Sequence, residues 1–270
     1  DLTDILVRRR ADRGALDFEN PEALVVLDDR GNPVNIVKRE HFKAHRMIEE
    51  AMILANVVTA EALAELRVPF LYRVHEEPDE AKLQAFAETA MALGFTFRAS
   101  LAAEQGYIQA FLESIKGKNN ERMLNMLLLR AMKRACYSPE NRGHYGLALS
   151  DYAHFTSPIR RYPDLIVHRQ IEAYAINNDG RAAAHDYGYY EALGDAVTER
   201  EIVTDQAERE SVKMKTAEFM SGHLGEEFDG TVSGIIPIGF FVALDTYFAE
   251  GLVHVSTLID DYYTIDKSGV

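Results

Sequence analysis

The spacing of apolar residues changes its period once along this chain, at Gly225, and that change limits the folds open to it. Before it, apolar positions recur three and four residues apart. Met47, Ile48, Ala51, Met52, Ala55, Val58 and Ala62 form one such run, and that spacing lines one face of a helix. After it, "EEFDGTVSGIIPIGFFVALDTYFAEGLVHVSTL" is cut by Gly, Pro and Asp into short β-branched and aromatic runs, the pattern of a small closed barrel. The chain therefore divides into residues 1–222, an α/β (α+β) domain, and residues 223–270, the first strands of a β-barrel that this length does not complete.

Within the first domain the punctuation is specific. "DLTDILVRRRADRG" reads as a helix already under way, without a starting methionine or the residue order of a signal peptide, so the chain is expected to be a fragment. "GALDFENPEALVVLDDRGNPVNIVKRE" holds two short strands split by a turn cluster. Asp28 and Asp29 sit in that cluster and read as a solvated hairpin tip rather than paired metal ligands. A long helix follows, then a short strand in "FLYRVH", then a helix from Pro78-Asp79 to Gly94. "ERMLNMLLLRAMKRACY" reads as one helix carrying Cys136 at its end, and "HYGLALSDYAHF" as an extended segment. The last helix runs through "YYEALGDAVTEREIVTDQAERESVKMKTAEFMSGHLG" to Gly222 or Gly225, with His223 in its final turn.

Composition removes several classes of function. With Cys136 as its one cysteine, the chain forms no internal disulfide and no cysteine-based zinc site. No apolar stretch is long enough to span a bilayer, and a cytosolic monomer with no membrane partner is the expectation. The net charge of −14 and pI near 5.1 exclude nucleic-acid binding through overall positive charge. They do not exclude a local basic groove, because the field at a cleft depends on what lines it. From Arg130 to Arg169, Lys133 and six arginines outnumber Glu140, Asp151 and Asp164, a local balance of +4.

That basic stretch contains "SDYAHFTSPIRRYPDLIVHRQIEAY". Pro163 fits the first turn of a helix and not its interior, so a short turn is expected after Ser157 and the main helix from Pro163. Asp164 then falls in the first turn, where a carboxylate suits the helix dipole. Arg160 and Arg161 are left on a loop beside a helix N-terminus. Two readings stand side by side: an anion site built from backbone N–H groups, hydroxyls and guanidiniums, or a well-capped helix with a solvated basic rim. His154 and His168 have no carboxylate partner at metal-ligand spacing.

"GHYGLALSDYAHFTSPIRRYPDLIVHR" resembles the signature of the ribonuclease II / ribonuclease R family, the RNB-domain exoribonucleases. "GALDFENPEA", "AHRMIEEAMILAN" and "MLLLRAMKRACYSPENRGHYGL" resemble it in the same order, and the stretch after Gly225 is similar to the start of an S1-type OB barrel. The resemblance covers essentially the whole chain, and "FTSPIRRYPDL" and "SPENRGHYGLAL" are closer to the ribonuclease R version. It implies an RNB-type catalytic domain followed by an incomplete S1-type OB fold. The implied activity is processive 3′→5′ hydrolysis of single-stranded RNA to nucleoside monophosphates, with Mg²⁺ held by clustered aspartates.

The resemblance also implies roles for single residues. Arg160 matches the arginine that clamps the scissile phosphate. Phe18 matches an aromatic that stacks on a base near the 3′ end. Glu49 matches a carboxylate that contacts the terminal ribose, a 2′-OH contact that separates RNA from DNA. Glu208 falls near a glutamate at the active-site rim. Thr156, Ser157, Arg161 and Tyr162 are candidates for contacts to the RNA backbone. Phe228, Phe241 and His254 fall where S1-type barrels present RNA-facing side chains.

One departure limits the reading. The family's metal-binding aspartates lie N-terminal to everything present here, so no metal ligand is expected in this chain, and alone it is expected to be inactive. A catalytically silent RNB-like RNA-binding protein, and an α/β domain unrelated to nucleic acid, are the alternatives.

Overall fold

The computed structural model describes residues 1–18, 22–104, 106–118, 120–177, 185–247 and 249–258. Helix α1 (Leu2–Asp12) opens on a capping box in which Asp1 and Asp4 exchange hydrogen bonds. Strands β1 (Ala23–Leu27) and β2 (Pro33–Lys38) pair antiparallel. Their turn is closed by Asp28, whose carboxylate accepts from the Arg30 and Asn32 N–H groups and the Asn32 amide. Gly31 takes the positive φ of 81° that the turn requires. The tip is not wholly in solvent, as the sequence suggested, because the Lys215 ammonium reaches the Gly31 carbonyl at 2.9 Å.

Helix α2 (Lys43–Glu65) and strand β3 (Tyr72–Val74) lead to helices α3 (Glu80–Ala92), α4 (Tyr107–Ile115) and α5 (Glu121–Ala131). Asp79 caps α3 through the Lys82 N–H, and Gly94 ends its turn at φ 84°. These three helices bury one core, in which Phe86, Phe97 and Phe111 meet edge to face around Leu124 and Leu128.

The helix expected through Cys136 ends earlier. Met132 turns extended after α5, and Cys136 belongs to strand β4 (Cys136–Ser138), paired antiparallel with β3. Pairing with β3, remote in sequence, overrides a locally helical pattern. The extended segment expected from His144 is also interrupted. His144 and Leu149 exchange backbone hydrogen bonds and pinch Tyr145–Leu147 into a 3₁₀ turn.

Helix α6 (Tyr162–Gln170) starts one residue before the expected Pro163, which takes its second position, and continues as a π-helical turn over Ile171–Ile176. Its inner face inserts Val167 among Ala60, Leu63 and Phe70, and Ile166 among Leu71, Tyr137 and Tyr190. Helix α7 (Tyr187–Ser221) crosses β4, and it stops at Gly222, so His223 lies beyond its last turn. Gly194 permits the crossing: a Cβ there would stand 2.6 Å from the Tyr137 carbonyl oxygen.

Strands β5 (Gly230–Ile236), β6 (Gly239–Leu244) and β7 (Glu250–His254) form an antiparallel meander in sequence order. The described residues make three strands of a barrel and do not close it. All ladders between the named strands are antiparallel, so the α+β form of the expected fold class is the one observed. No described helix is long and apolar enough to cross a membrane.

Candidate nucleic-acid interface

The segment 152–164 is held from three sides. From α2, the buried Asn56 side chain donates to the Tyr152 hydroxyl at 3.0 Å and accepts from the Phe155 N–H at 3.0 Å. From α6, the His168 ring stacks on Phe155 at 4.3 Å and contacts its carbonyl oxygen at 2.9 Å. From β4, the Tyr137 hydroxyl meets His154 Nδ1 at 2.8 Å. Tyr137 is itself fixed: the Arg73 guanidinium lies 4.6 Å over its ring and is bound to Glu201 of α7 at 2.6 Å. The two bonds to Asn56 span 96 and 99 residues and the Arg73–Glu201 pair spans 128, so the loop is positioned by distant parts of the domain.

At the centre of the corner is Asp164, with no exposed surface. Its Oδ1 accepts from the Ser157 N–H at 2.7 Å and from Arg161 Nη2 at 2.7 Å. The Ser157 carbonyl accepts from the N–H groups of Arg160 and Arg161 at 3.2 and 3.0 Å. One carboxylate and one peptide unit therefore tie the turn to the first turn of α6. Thr156 Oγ1, Arg161 Nε and Asp164 Oδ2 are buried here with no protein partner. Each carries a desolvation cost of about 1–3 kcal/mol that a cap built only for stability would avoid.

Arg160 stands on the outside of this turn. Its side chain is exposed and makes no ion pair with any described residue. Tyr162 is exposed beside it and Arg161 is half-buried. Of the expected backbone-contacting residues, Thr156, Ser157, Arg161 and Tyr162 are thus brought together with Arg160.

Burial and nearby guanidiniums act together on the titratable groups here. Burial, then the Arg161 and Arg73 guanidiniums, push the His154 pKa down to about 2. Burial, with His75 and Arg73 nearby, pushes His144 down to about 3. Burial holds the Tyr137 hydroxyl protonated, its pKa raised to about 12. His154 is therefore neutral, and its Nδ1 shares one hydrogen bond with the Tyr137 hydroxyl. Neither histidine serves as a base near neutral pH.

The remaining expected residues are spread along the molecule. Glu49 is exposed on α2, bound to His41 at 2.7 Å. It lies seven residues before Asn56, so helical geometry sets it on the same face, about 10 Å along the axis. Its neighbour Glu50 points elsewhere and is buried against Arg10 at 3.2 Å. Glu208 is exposed and continues the α7 stripe of Gly194 and Glu201 past β4. Phe18 is half-buried against the core of α3, α4 and α5, and Glu19, Asn20 and Pro21 beyond it lie outside the described residues.

In the barrel strands, Phe228 packs with His223 and Tyr247, in a ring cluster that includes Phe219 of α7. Alternation along β6 puts Phe241 on the face of buried Gly239 and Ala243, while Phe240 takes the other face. His254 is exposed at the end of β7, its ring accepting from the Ser256 N–H.

No group of three or more His, Cys, Asp or Glu side chains among the described residues has the arrangement to hold a metal. Asp28 is taken by its turn, and Asp1 and Asp4 by Lys43. A magnesium ion does not fit the residues described.

Asp164, Asn56, Tyr137 and Arg73 are missing from the sequence-level candidates. Asp164 carried a signal, an acid in a helix first turn three residues after an arginine. Asn56 carried a weaker one, an amide interrupting an apolar stripe.

The RNB domain family model matches residues 1–177 and the S1 RNA binding domain model matches residues 223–270. Ribonuclease R of Aquifex aeolicus is 43% identical over 266 residues, covering 98% of this chain and 38% of the relative. Ribonuclease R of Escherichia coli is 37% identical over 276 residues, covering 99% of this chain and 34% of the relative. The chain thus spans little more than a third of these relatives. The solved structure of Mycoplasma genitalium RNase R in complex with ribose methylated single-stranded RNA superposes with a TM-score of 0.91 at 30% identity, covering 99% of this chain and 42% of that one. Yeast Ssd1, described as a pseudonuclease, superposes with a TM-score of 0.66 at 25% identity, covering 80% of this chain and 27% of that one. From the match over most of its length and the order RNB then S1, this chain belongs to the RNB-domain family.

Proposed function

We propose that this chain supplies the phosphate-holding part, and the first RNA-binding strands, of a processive 3′→5′ exoribonuclease that hydrolyses single-stranded RNA to nucleoside 5′-monophosphates. The observation that carries this reading is Arg160, an exposed guanidinium without an ion partner among the described residues, standing on a turn fixed to a helix N-terminus. A guanidinium in that setting favours an anion and stabilises it most as charge builds on a transferring phosphate. Tyr162 beside it and Glu49 along α2 suit a strand that passes the corner and ends near the acid, where a carboxylate accepts from a ribose 2′-OH. The complex of the Mycoplasma genitalium relative with single-stranded RNA supports the substrate class. Of the three barrel residues, His254 is exposed at the end of β7, while Phe228 beside His223 and Tyr247, and Phe241 on the face of Gly239 and Ala243, are half-buried.

The magnesium chemistry expected of the family has no ligand set among the described residues. Neutral His154 and His144 position the loop rather than transfer protons.

The test pairs binding with cleavage. The 270-residue chain is expected to bind a 5′-labelled single-stranded RNA and to leave its length unchanged, with or without Mg²⁺. A longer protein containing it is expected to shorten that RNA in single-nucleotide steps only with Mg²⁺. Arg160→Ala is expected to lower that rate by about 100-fold or more and the slope of log affinity against log salt by about 0.7. Unchanged degradation by Arg160→Ala overturns the assignment. Binding without shortening in the longer protein supports the silent reading that the likeness to the Ssd1 pseudonuclease keeps open.

A further inference from the structure

Adjacent arginines on one loop need not do the same work, and here the geometry separates them. The Arg161 side chain is turned inward onto a carboxylate that has no exposed surface. Arg160, one residue earlier, is exposed and unpaired among the described residues. The same carboxylate oxygen also accepts the Ser157 N–H, and the Ser157 carbonyl accepts the N–H groups of both arginines. Asp164 thus fixes the start of the turn at Ser157 and the Arg161 side chain at its end, and so the backbone from which Arg160 projects. Ionic attraction within a buried corner is weakly screened, so Arg161 stays committed to the protein while Arg160 has no charged partner among the described residues.

We propose that Asp164 is a positioning residue: it holds Arg161 against the protein and sets the turn on which Arg160 presents a single guanidinium to a phosphate of the RNA strand. The inference rests on the reading of Arg160 as the phosphate ligand. Neutralising Asp164 would release Arg161 and loosen the turn, so that Arg160 no longer arrives in one orientation. The loss of a preset geometry, rather than the loss of a contact, is then what weakens binding.

The test is a double-mutant cycle on the 270-residue chain, read by fluorescence anisotropy with a 5′-fluorescein single-stranded RNA at low salt. Asp164→Asn keeps the side-chain volume and an oxygen for the Ser157 N–H. Arg160→Ala is expected to weaken binding about tenfold. Asp164→Asn is expected to weaken it at least about threefold, and in that background Arg160→Ala should cost less than about threefold. A merely structural role for Asp164 would lower thermal stability but leave the cost of Arg160→Ala unchanged. Wild-type affinity in Asp164→Asn, or an equal cost of Arg160→Ala in both backgrounds, overturns the inference while the reading of Arg160 stands. No effect of Arg160→Ala in the wild-type background instead overturns that reading, and the inference with it. Should Asp164→Asn not fold, arginine side-chain NMR on the unmutated chain decides: RNA should shift the Arg160 Nε–H resonance and leave that of Arg161 in place. Equal shifts of both overturn the inference.

Discussion

Arg161 Nη2 lies 2.7 Å from Asp164 Oδ1, and the acid has no exposed surface. A pair of this kind is asymmetric. Forming it returns little net stability, because both groups are desolvated, whereas removing one partner strands a buried charge. Arg161→Ala is therefore expected to destabilise the chain by about 3 kcal/mol in urea unfolding. The Arg161→Ala/Asp164→Ala double variant should be less unstable than Arg161→Ala alone. A double variant that is the less stable of the two would show that the ion pair does not govern this corner.

The crossing of α7 over β4 depends on one missing methyl group. A Cβ at residue 194 would stand 2.6 Å from the Tyr137 carbonyl oxygen, which is backbone and cannot rotate away. Gly194→Ala should push α7 off β4 and cost about 1–3 kcal/mol. The same displacement would strain the Thr198 hydroxyl's bond to the Tyr137 N–H, 2.9 Å in the native fold. Thermal denaturation checks the cost, and a variant as stable as the parent would mean that the crossing relaxes freely.

Asn56 serves two groups that have no other hydrogen-bond partner among the described residues. Asn56→Ala leaves the Phe155 N–H and the Tyr152 hydroxyl unsatisfied in a buried site, at about 1–3 kcal/mol. Because Phe155 directly precedes Thr156, RNA affinity should fall with stability, which anisotropy and denaturation on the same samples would show. Stability loss with unchanged RNA affinity would place the phosphate contact elsewhere.

Acid should destabilise the fold earlier than its carboxylates alone would dictate. His154 and His144 have folded pKa values near 2 and 3, below the ordinary value of 6.5. Below pH 6.5 the unfolded chain therefore binds protons that the folded chain refuses, and the linkage makes stability rise with pH. Their contribution is complete above about pH 6.5 and is lost as pH falls toward 3, at up to about 1.4 kcal/mol per unit for each histidine. A melting temperature that stays flat from pH 7 to pH 5 would contradict the burial of these rings. His154→Asn, which cannot charge, should reduce the slope.

Much of the local architecture was legible in the sequence. Pro163 dated the start of α6, Asp79 and Gly94 bracketed α3, and the Asp28–Asn32 cluster marked the hairpin. Each of these is a preference of the backbone within a few residues. The failures have a common cause. Cys136 sits in a run that is helical by period, yet β3 claims it as a strand partner. Phe241 and Phe240 are adjacent in sequence and fall on opposite faces of one strand, and only the register of β6 separates them.

The sequence by itself determined that the apolar period changes at Gly225, where α3 begins, and that Arg160 and Arg161 stand beside a helix N-terminus. These follow from periodicity and local dihedral preference, which need no knowledge of distant contacts. Only the tertiary structure decided which arginine is free and what holds the loop. The answer lies in Asp164, in Asn56 reaching Tyr152 across 96 residues, and in Arg73 reaching Glu201 across 128. Burial creates these partnerships, because a polar group taken out of water must find its complement wherever the packed chain brings one.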